Sequence, residues 1–194
     1  MNVAKKADKA SMMCPHAEKV FGFVESIGLP IQIVHGAVGF IEHVRIVGGG
    51  LHIDPRASAS TILHEAGHLA VMPACYRQYL NGDVGDGVQR MFQEMEASEI
   101  APDSPLMRAA LQAGDPEATA WAFAAGVSLG LPIEVIILDH EYGGEGKAIR
   151  IALAAKSYIG IHGIAHAGFC VVRANPYSSH SLPTYPELSY WLQG

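Results

Sequence analysis

The stretch from Asp54 to Pro73, DPRASASTILHEAGHLAVMP, constrains the fold of this chain more than any other. Asp is a favoured helix N-cap and Pro a favoured first helical residue, so Asp54-Pro55 reads as a start. Apolar periodicity then runs to Val71, and Pro73 ends it. The result is a helix of roughly four turns with HEAGH (64–68) inside it. Gly67 costs about 1 kcal/mol relative to Ala at such a position, which predicts a neighbour packed closely against it.

On a helix, His64 and His68 lie four apart on one face. Two imidazoles so placed hold one metal ion through ring nitrogens at about 2.0–2.1 Å. Glu65 is displaced around the helix but still within reach of a water at that point, where it serves as general base. Metal coordination lowers the pKa of such a water toward ~7, within range of a modest carboxylate. A catalytic site of this kind needs a third protein ligand. Position 74 is Ala, which excludes the pattern with a third His six residues after the second. Spacing leaves Glu94, Glu96, Glu99, Asp115, Glu117, Asp139, His140, Glu141, His162 and His166 open.

Around this helix the chain alternates short apolar segments with glycines. PHAEKVFGFVESI (15–27) has helical spacing with Pro15 in its first turn. IQIVH (31–35), FIEHVRIV (40–47) and LHID (51–54) read as a small antiparallel meander, its last two strands joined tightly at Gly48–Gly50. NGDVGDG (81–87) reads as a loop, with helices expected near 88–99, 104–113 and 115–129. IEVIIL (133–138) fits strand or helix. A Gly-rich turn, YGGEG, precedes a helical run from Lys147 to about His166, and FCVVR (169–173) reads as a last strand. The expected class is α+β: a small antiparallel β-meander packed on the HExxH helix and further helices. One domain spans 1–174, and an irregular arm, rich in Pro, Ser and Tyr, covers 175–194. SIGLPIQIV (26–34) and SLGLPIEVI (128–136) are alike, which reads as a reused Gly-then-Pro helix stop.

Composition narrows the function classes. Hydrophobic residues make up 49% and charged residues 16%, as in a globular domain. Net charge is −6, and the short run Lys5, Lys6, Lys9 reads as a solvated end, so no nucleic-acid partner is expected. The N-terminus lacks the apolar core of a signal peptide, and no apolar run approaches the ~20 residues that span a membrane. Cys14, Cys75 and Cys170 form no close pair and read as reduced thiols in a cytoplasmic protein, Cys75 as a small buried residue or, alternatively, a redox-sensitive thiol near the metal.

LHEAGHLAV followed by EATAWAFAAGVSLGLP resembles the ImmA/IrrE-like zinc metallopeptidases, small bacterial gluzincins with a zincin-like minimal fold. The family pattern is an HExxH helix, then a helix with Glu-x-x-Ala-x-x-Phe-Ala ending near Leu-Pro. Here that is Glu117, Ala120, Phe123, Ala124 and Leu131-Pro132. GLHIDPRAS, running into the HExxH helix, is similar as well. The resemblance covers roughly residues 20–135 and implies His64, His68 and Glu117 as Zn²⁺ ligands and Glu65 as general base. The stretch between His68 and Glu117 is long for the family, which implies an added loop or helix and keeps Glu94 and Glu96 as rival ligands. No helix-turn-helix is recognisable, so the regulator-cleaving role of some family members does not carry over.

His140, Tyr142, His162 and His166 fall on segments that can line the cleft and are candidate oxyanion or substrate contacts. For His162 and His166, partly buried or surface positions on a helix are the plainer reading. His16, His35, His43, His52 and His180 read as structural or solvated, and Tyr177, Tyr185, Tyr190 and Trp191 as anchors of the arm. The expected function is zinc-dependent hydrolysis of a peptide bond in a protein or peptide substrate. The alternatives are a non-catalytic metal-containing sensor or peptide-binding module with the same fold, an interaction protein in which HEAGH is incidental, and a metal-dependent hydrolase of a non-peptide bond.

Overall fold

A computed structural model describes residues 12–174 and 182–194. The architecture is α+β, with eight α-helices and a three-stranded mixed sheet among the described residues. Lys5, Lys6, Lys9, Tyr177 and His180 lie outside them.

The first helix, α1 (Pro15–Ser26), starts on its proline and buries Ala17, Val20, Phe21 and Val24, one stripe at helical spacing. The strands are β1 (Ile31–Ile33), β2 (Val44–Val47) and β3 (Gly50–Ile53). Gly48 and Gly49 take φ of 53° and 82°, the two left-handed residues of a tight hairpin, and they set Val47 opposite Gly50. The sheet is not an antiparallel meander. Its order is β1-β3-β2, with β1 parallel to β3. The long connection 34–43 allows this, because β2 turns back onto β3 and leaves the other edge of β3 to β1.

The metal-helix candidate is α2 (Ala59–Val71). It ends at Val71 as expected but begins later than Asp54-Pro55. Ser58 is its cap, the hydroxyl accepting from Thr61 N–H at 3.0 Å. Asp54 instead accepts from the backbone N–H groups of Gly36 and Arg56 and from the Arg56 guanidinium. It ties the connection after β1 to the entry of α2. Ile62, Leu63 and Leu69 of α2 are fully buried, each contributing roughly 1.5–3 kcal/mol.

α3 (Val84–Ala97) starts inside the expected 81–87 loop, because Asp83 caps it by accepting from Gly85 N–H at 2.7 Å. α4 (Pro105–Ala110) and α5 (Asp115–Ser128) follow, and the ambiguous 133–138 segment forms a short α6 (Ile133–Ile136). α5 packs most extensively on α2, where a Cβ on Gly67 would stand 2.5 Å from the Ala118 carbonyl oxygen. The close neighbour that Gly67 predicts is therefore the backbone of α5.

The expected run 147–166 is two helices, α7 (Gly146–Ala154) and α8 (Ile159–His166). Lys156 takes φ 56°, and the N–H groups of Lys156 and Ser157 bond back to Leu153 and Ala152. This closes the helix end in a position usually held by Gly, so the sequence carries no visible stop. FCVVR is not a strand. Val171 makes a single bridge to Thr184, and the flanking Pro183 and Pro186 offer no N–H to extend a ladder.

The end of the chain lies on the helices. Tyr185 is buried and donates to the Ala120 carbonyl at 3.0 Å, and the Trp121 indole donates to the Trp191 carbonyl at 2.9 Å. Cys75 is exposed, not buried, because the chain turns outward in the irregular segment after α2. No helix among the described residues is long and apolar enough to cross a membrane.

Candidate metal centre

α2 presents His64 and His68 on the face toward the first turn of α5, with Glu65 beside them and Asp115 opposite. His64 Nε2 and His68 Nε2 are 3.2 Å apart. Asp115 Oδ1 lies 3.2 Å from His64 Nε2 and 3.6 Å from His68 Nε2. Three donors bound at ~2.1 Å in a tetrahedron stand about 3.4 Å from one another. The observed edges match that spacing, so the group can hold a metal ion. The two imidazoles are nearly perpendicular, at 89°.

Asp115 is the first residue of α5, at the positive end of the helix dipole. The neighbouring imidazoles of His64 and His68 hold its carboxyl well below the usual carboxylate range. Burial opposes protonation of His64, but the hydrogen bond and charge of Asp115, with Glu65 and Glu141 nearby, outweigh it and raise the imidazole pKa. The centre therefore favours added positive charge between its donors. Burial raises the Glu65 carboxyl pKa, against the opposing pull of His68 and His64. That is the direction a general base needs to work near neutral pH.

Glu117, the ligand implied by the resemblance, is outside this group. Gly114 is the N-cap of α5, which places Glu117 at the third helical position. From there its carboxylate accepts from the backbone N–H groups of Gly114 and of Glu117 itself. This is the reciprocal half of a capping box. The side chain lies against α8, where a Cβ on Gly163 would collide with it. Glu94 accepts from the Tyr79 hydroxyl, and neither Glu94 nor Glu96 joins the group.

Two cavities flank the histidines. The larger, of about 410 Å³, is lined by His64, Glu65, His68 and Asp115 with an apolar wall that includes Ile41, Val84 and Val88. The smaller, of about 240 Å³, is lined by His64, Asp115, Ser60, Thr61, Glu141 and Tyr142. Phe40 borders both and is 92% exposed. Glu141 accepts from Ser60 Oγ at 2.7 Å and Leu138 N–H at 2.8 Å, fixing the 138–142 segment to α2.

Of the other expected contacts, Tyr142 reaches the centre, its hydroxyl 3.0 Å from His64 Nδ1. His140, His162 and His166 are exposed and line neither cavity. Sequence reasoning did not single out Thr119, Phe40 or Ile41. Thr119 carries no sequence signal. The apolar pair precedes an edge strand and is visible only as part of a strand-like run.

Compared with protein-family models, curated proteins and solved structures, the chain matches none.

Proposed function

We propose that this protein is a zinc-dependent hydrolase of peptide bonds, with His64, His68 and Asp115 as metal ligands and Glu65 as general base. The observation that carries this reading is the triangle of Nε2 and Oδ1 atoms at 3.2, 3.2 and 3.6 Å, with Glu65 on the same cavity. Two imidazoles and one carboxylate suit Zn²⁺, and three protein ligands leave an open position. The ImmA/IrrE-like, zincin-like pattern around HEAGH supports the same chemistry, with Asp115 in place of the Glu117 that the pattern implies.

When bound, the ion would supply Lewis acidity for a carbonyl and for a water molecule. The chain's own residues do the rest. Glu65 takes the proton of the attacking water and delivers it to the leaving amine. Its burial keeps bulk water from competing for that proton. The larger cavity, next to Glu65, receives the substrate chain, and Phe40 stands at its rim.

The test measures zinc content and cleavage of a peptide library together. Wild type should bind one Zn²⁺ and cleave. Glu65→Gln should keep the zinc and lose ~10²–10⁴-fold in hydrolysis. A Glu65→Gln variant with full activity, or wild type without stoichiometric zinc, overturns the assignment. Zinc bound with no peptide cleaved points instead to a non-catalytic sensor or peptide-binding module.

A further inference from the structure

Tyr142 occupies a strained backbone position. Its φ is 54°, and Gly143 and Gly144 follow at 69° and 96°. A bulky residue in the left-handed region costs energy and persists only where its surroundings hold it. Here the conformation delivers the hydroxyl to His64 Nδ1 at 3.0 Å. That nitrogen is on the far side of the ring from the Nε2 that faces His68 and Asp115.

The contact continues. Tyr142 Oη is 3.0 Å from Thr119 Oγ1, and the Thr119 hydroxyl donates to the Asp115 backbone carbonyl at 2.9 Å. One assignment of protons satisfies the whole path. An imidazole that binds metal through Nε2 carries its proton on Nδ1. His64 Nδ1–H then donates to Tyr142, Tyr142 O–H donates to Thr119, and Thr119 O–H donates to Asp115. The path starts on one proposed ligand residue and ends on another, and it crosses from α2 to α5. His68 has no counterpart, since its Nδ1 is buried without a hydrogen-bond partner among the described residues.

We infer that Tyr142 and Thr119 are positioning residues for the metal centre, fixing the tautomer and orientation of His64 and tying it to the residue that carries the third ligand. The inference rests on the proposed His64–His68–Asp115 metal site. Hydrogen-bond partners of metal-bound histidines typically contribute 10–100-fold to metal affinity. Their removal should therefore appear in metal binding as well as in turnover.

The experiment titrates the chelator-stripped full chain with Zn²⁺ against a chromophoric chelator, and with Co²⁺ for its visible spectrum. His64→Ala is the control for the site. Tyr142→Phe should weaken Zn²⁺ binding 10–100-fold and alter the Co²⁺ spectrum. Thr119→Val should weaken it as well, and Thr119→Ser should restore wild-type affinity. Because the bonds act in series, the Tyr142→Phe, Thr119→Val double variant should bind little more weakly than Tyr142→Phe alone. Tyr142→Phe with wild-type Zn²⁺ affinity overturns the positioning role and leaves the metal site standing. Fully additive losses overturn it too. Wild type that binds Zn²⁺ no better than His64→Ala overturns the metal site and this inference together. If Tyr142→Phe fails to fold, the Thr119→Val and Thr119→Ser pair reads the same path.

Discussion

The first turn of α5 has two faces, and they do different work with the same type of side chain. On the face toward α2, Asp115 brings its carboxylate to His64 and His68. On the face toward α8, Glu117, two residues on, turns back to cap its own helix. Glycines on both neighbouring helices allow the close approach. Gly67 of α2 lies against Ala118, Gly160 of α8 against the Pro116 carbonyl, and Gly163 of α8 against the Glu117 side chain. The difference teaches that a carboxylate's role here is set by its position in the turn. At the first helical position the side chain projects toward the neighbouring helix. At the third it meets the unbonded N–H groups of its own helix end.

The glycines offer the largest effects. Gly160→Ala places a Cβ against backbone that cannot swing aside, and should destabilise by about 2–3 kcal/mol, lowering Tm by roughly 5–10 °C in a calorimetric scan. Gly67→Ala should destabilise similarly and also weaken Zn²⁺ binding, because it pushes the Asp115 turn away from α2. Gly163→Ala meets only a side chain, so Glu117 swings out and Zn²⁺ affinity stays. The reverse pattern, with zinc lost in Gly163→Ala and kept in Gly67→Ala, would mean that the functions of the two faces have been exchanged.

The acids themselves come next. Asp115→Asn should weaken Zn²⁺ binding by more than the ~100-fold attached to a ligand's hydrogen-bond partners. Glu117→Gln should change it by less than about threefold and alter stability by less than about 1 kcal/mol, because Gln keeps a side-chain oxygen for the helix end. Equilibrium zinc titrations and urea unfolding of both variants separate the two roles.

The smallest effect is in pH dependence, and its sign differs between the faces. The imidazoles of His64 and His68 depress the Asp115 carboxyl below its ordinary value of 3.8. Its contribution to stability is present above that value and fades as pH falls through the depressed one. Burial raises the Glu117 carboxyl above its ordinary 4.5. Its contribution is present below 4.5 and fades as pH rises through the raised value. In chelator-treated protein, Asp115→Asn should flatten the stability profile below pH 3.8 and Glu117→Gln just above pH 4.5. Identical profiles for the two variants would contradict the separate environments.

Some features are legible from local pattern. The end of α2, the start of α1 on Pro15, the tight Gly48-Gly49 hairpin and the pairing of His64 with His68 on one face all follow from residues within a turn or two. Other features have no local trace. The break after Ala154 falls at Lys156, where no Gly or Pro announces it. The parallel pairing of β1 with β3 depends on which sheet edge stays free after the hairpin closes. Asp115 and Glu117 are both visible as acids in GDPE, and their spacing from HEAGH does not separate them as partners of the histidines.

Thus the sequence by itself determines an apolar helix that ends at Val71 and bears two histidines on one face, with a glycine that demands a close neighbour. These are consequences of helical period and side-chain size within one segment. Only the tertiary structure decides which acid meets the histidines, which tyrosine stands behind His64, and that this tyrosine also reaches Thr119. Those contacts join residues 23 to 78 positions apart, or cross between helices brought together by backbone packing at Gly67. Their geometry is set by how α2, α5 and the 138–145 turn pack, not by the local spacing of any of them.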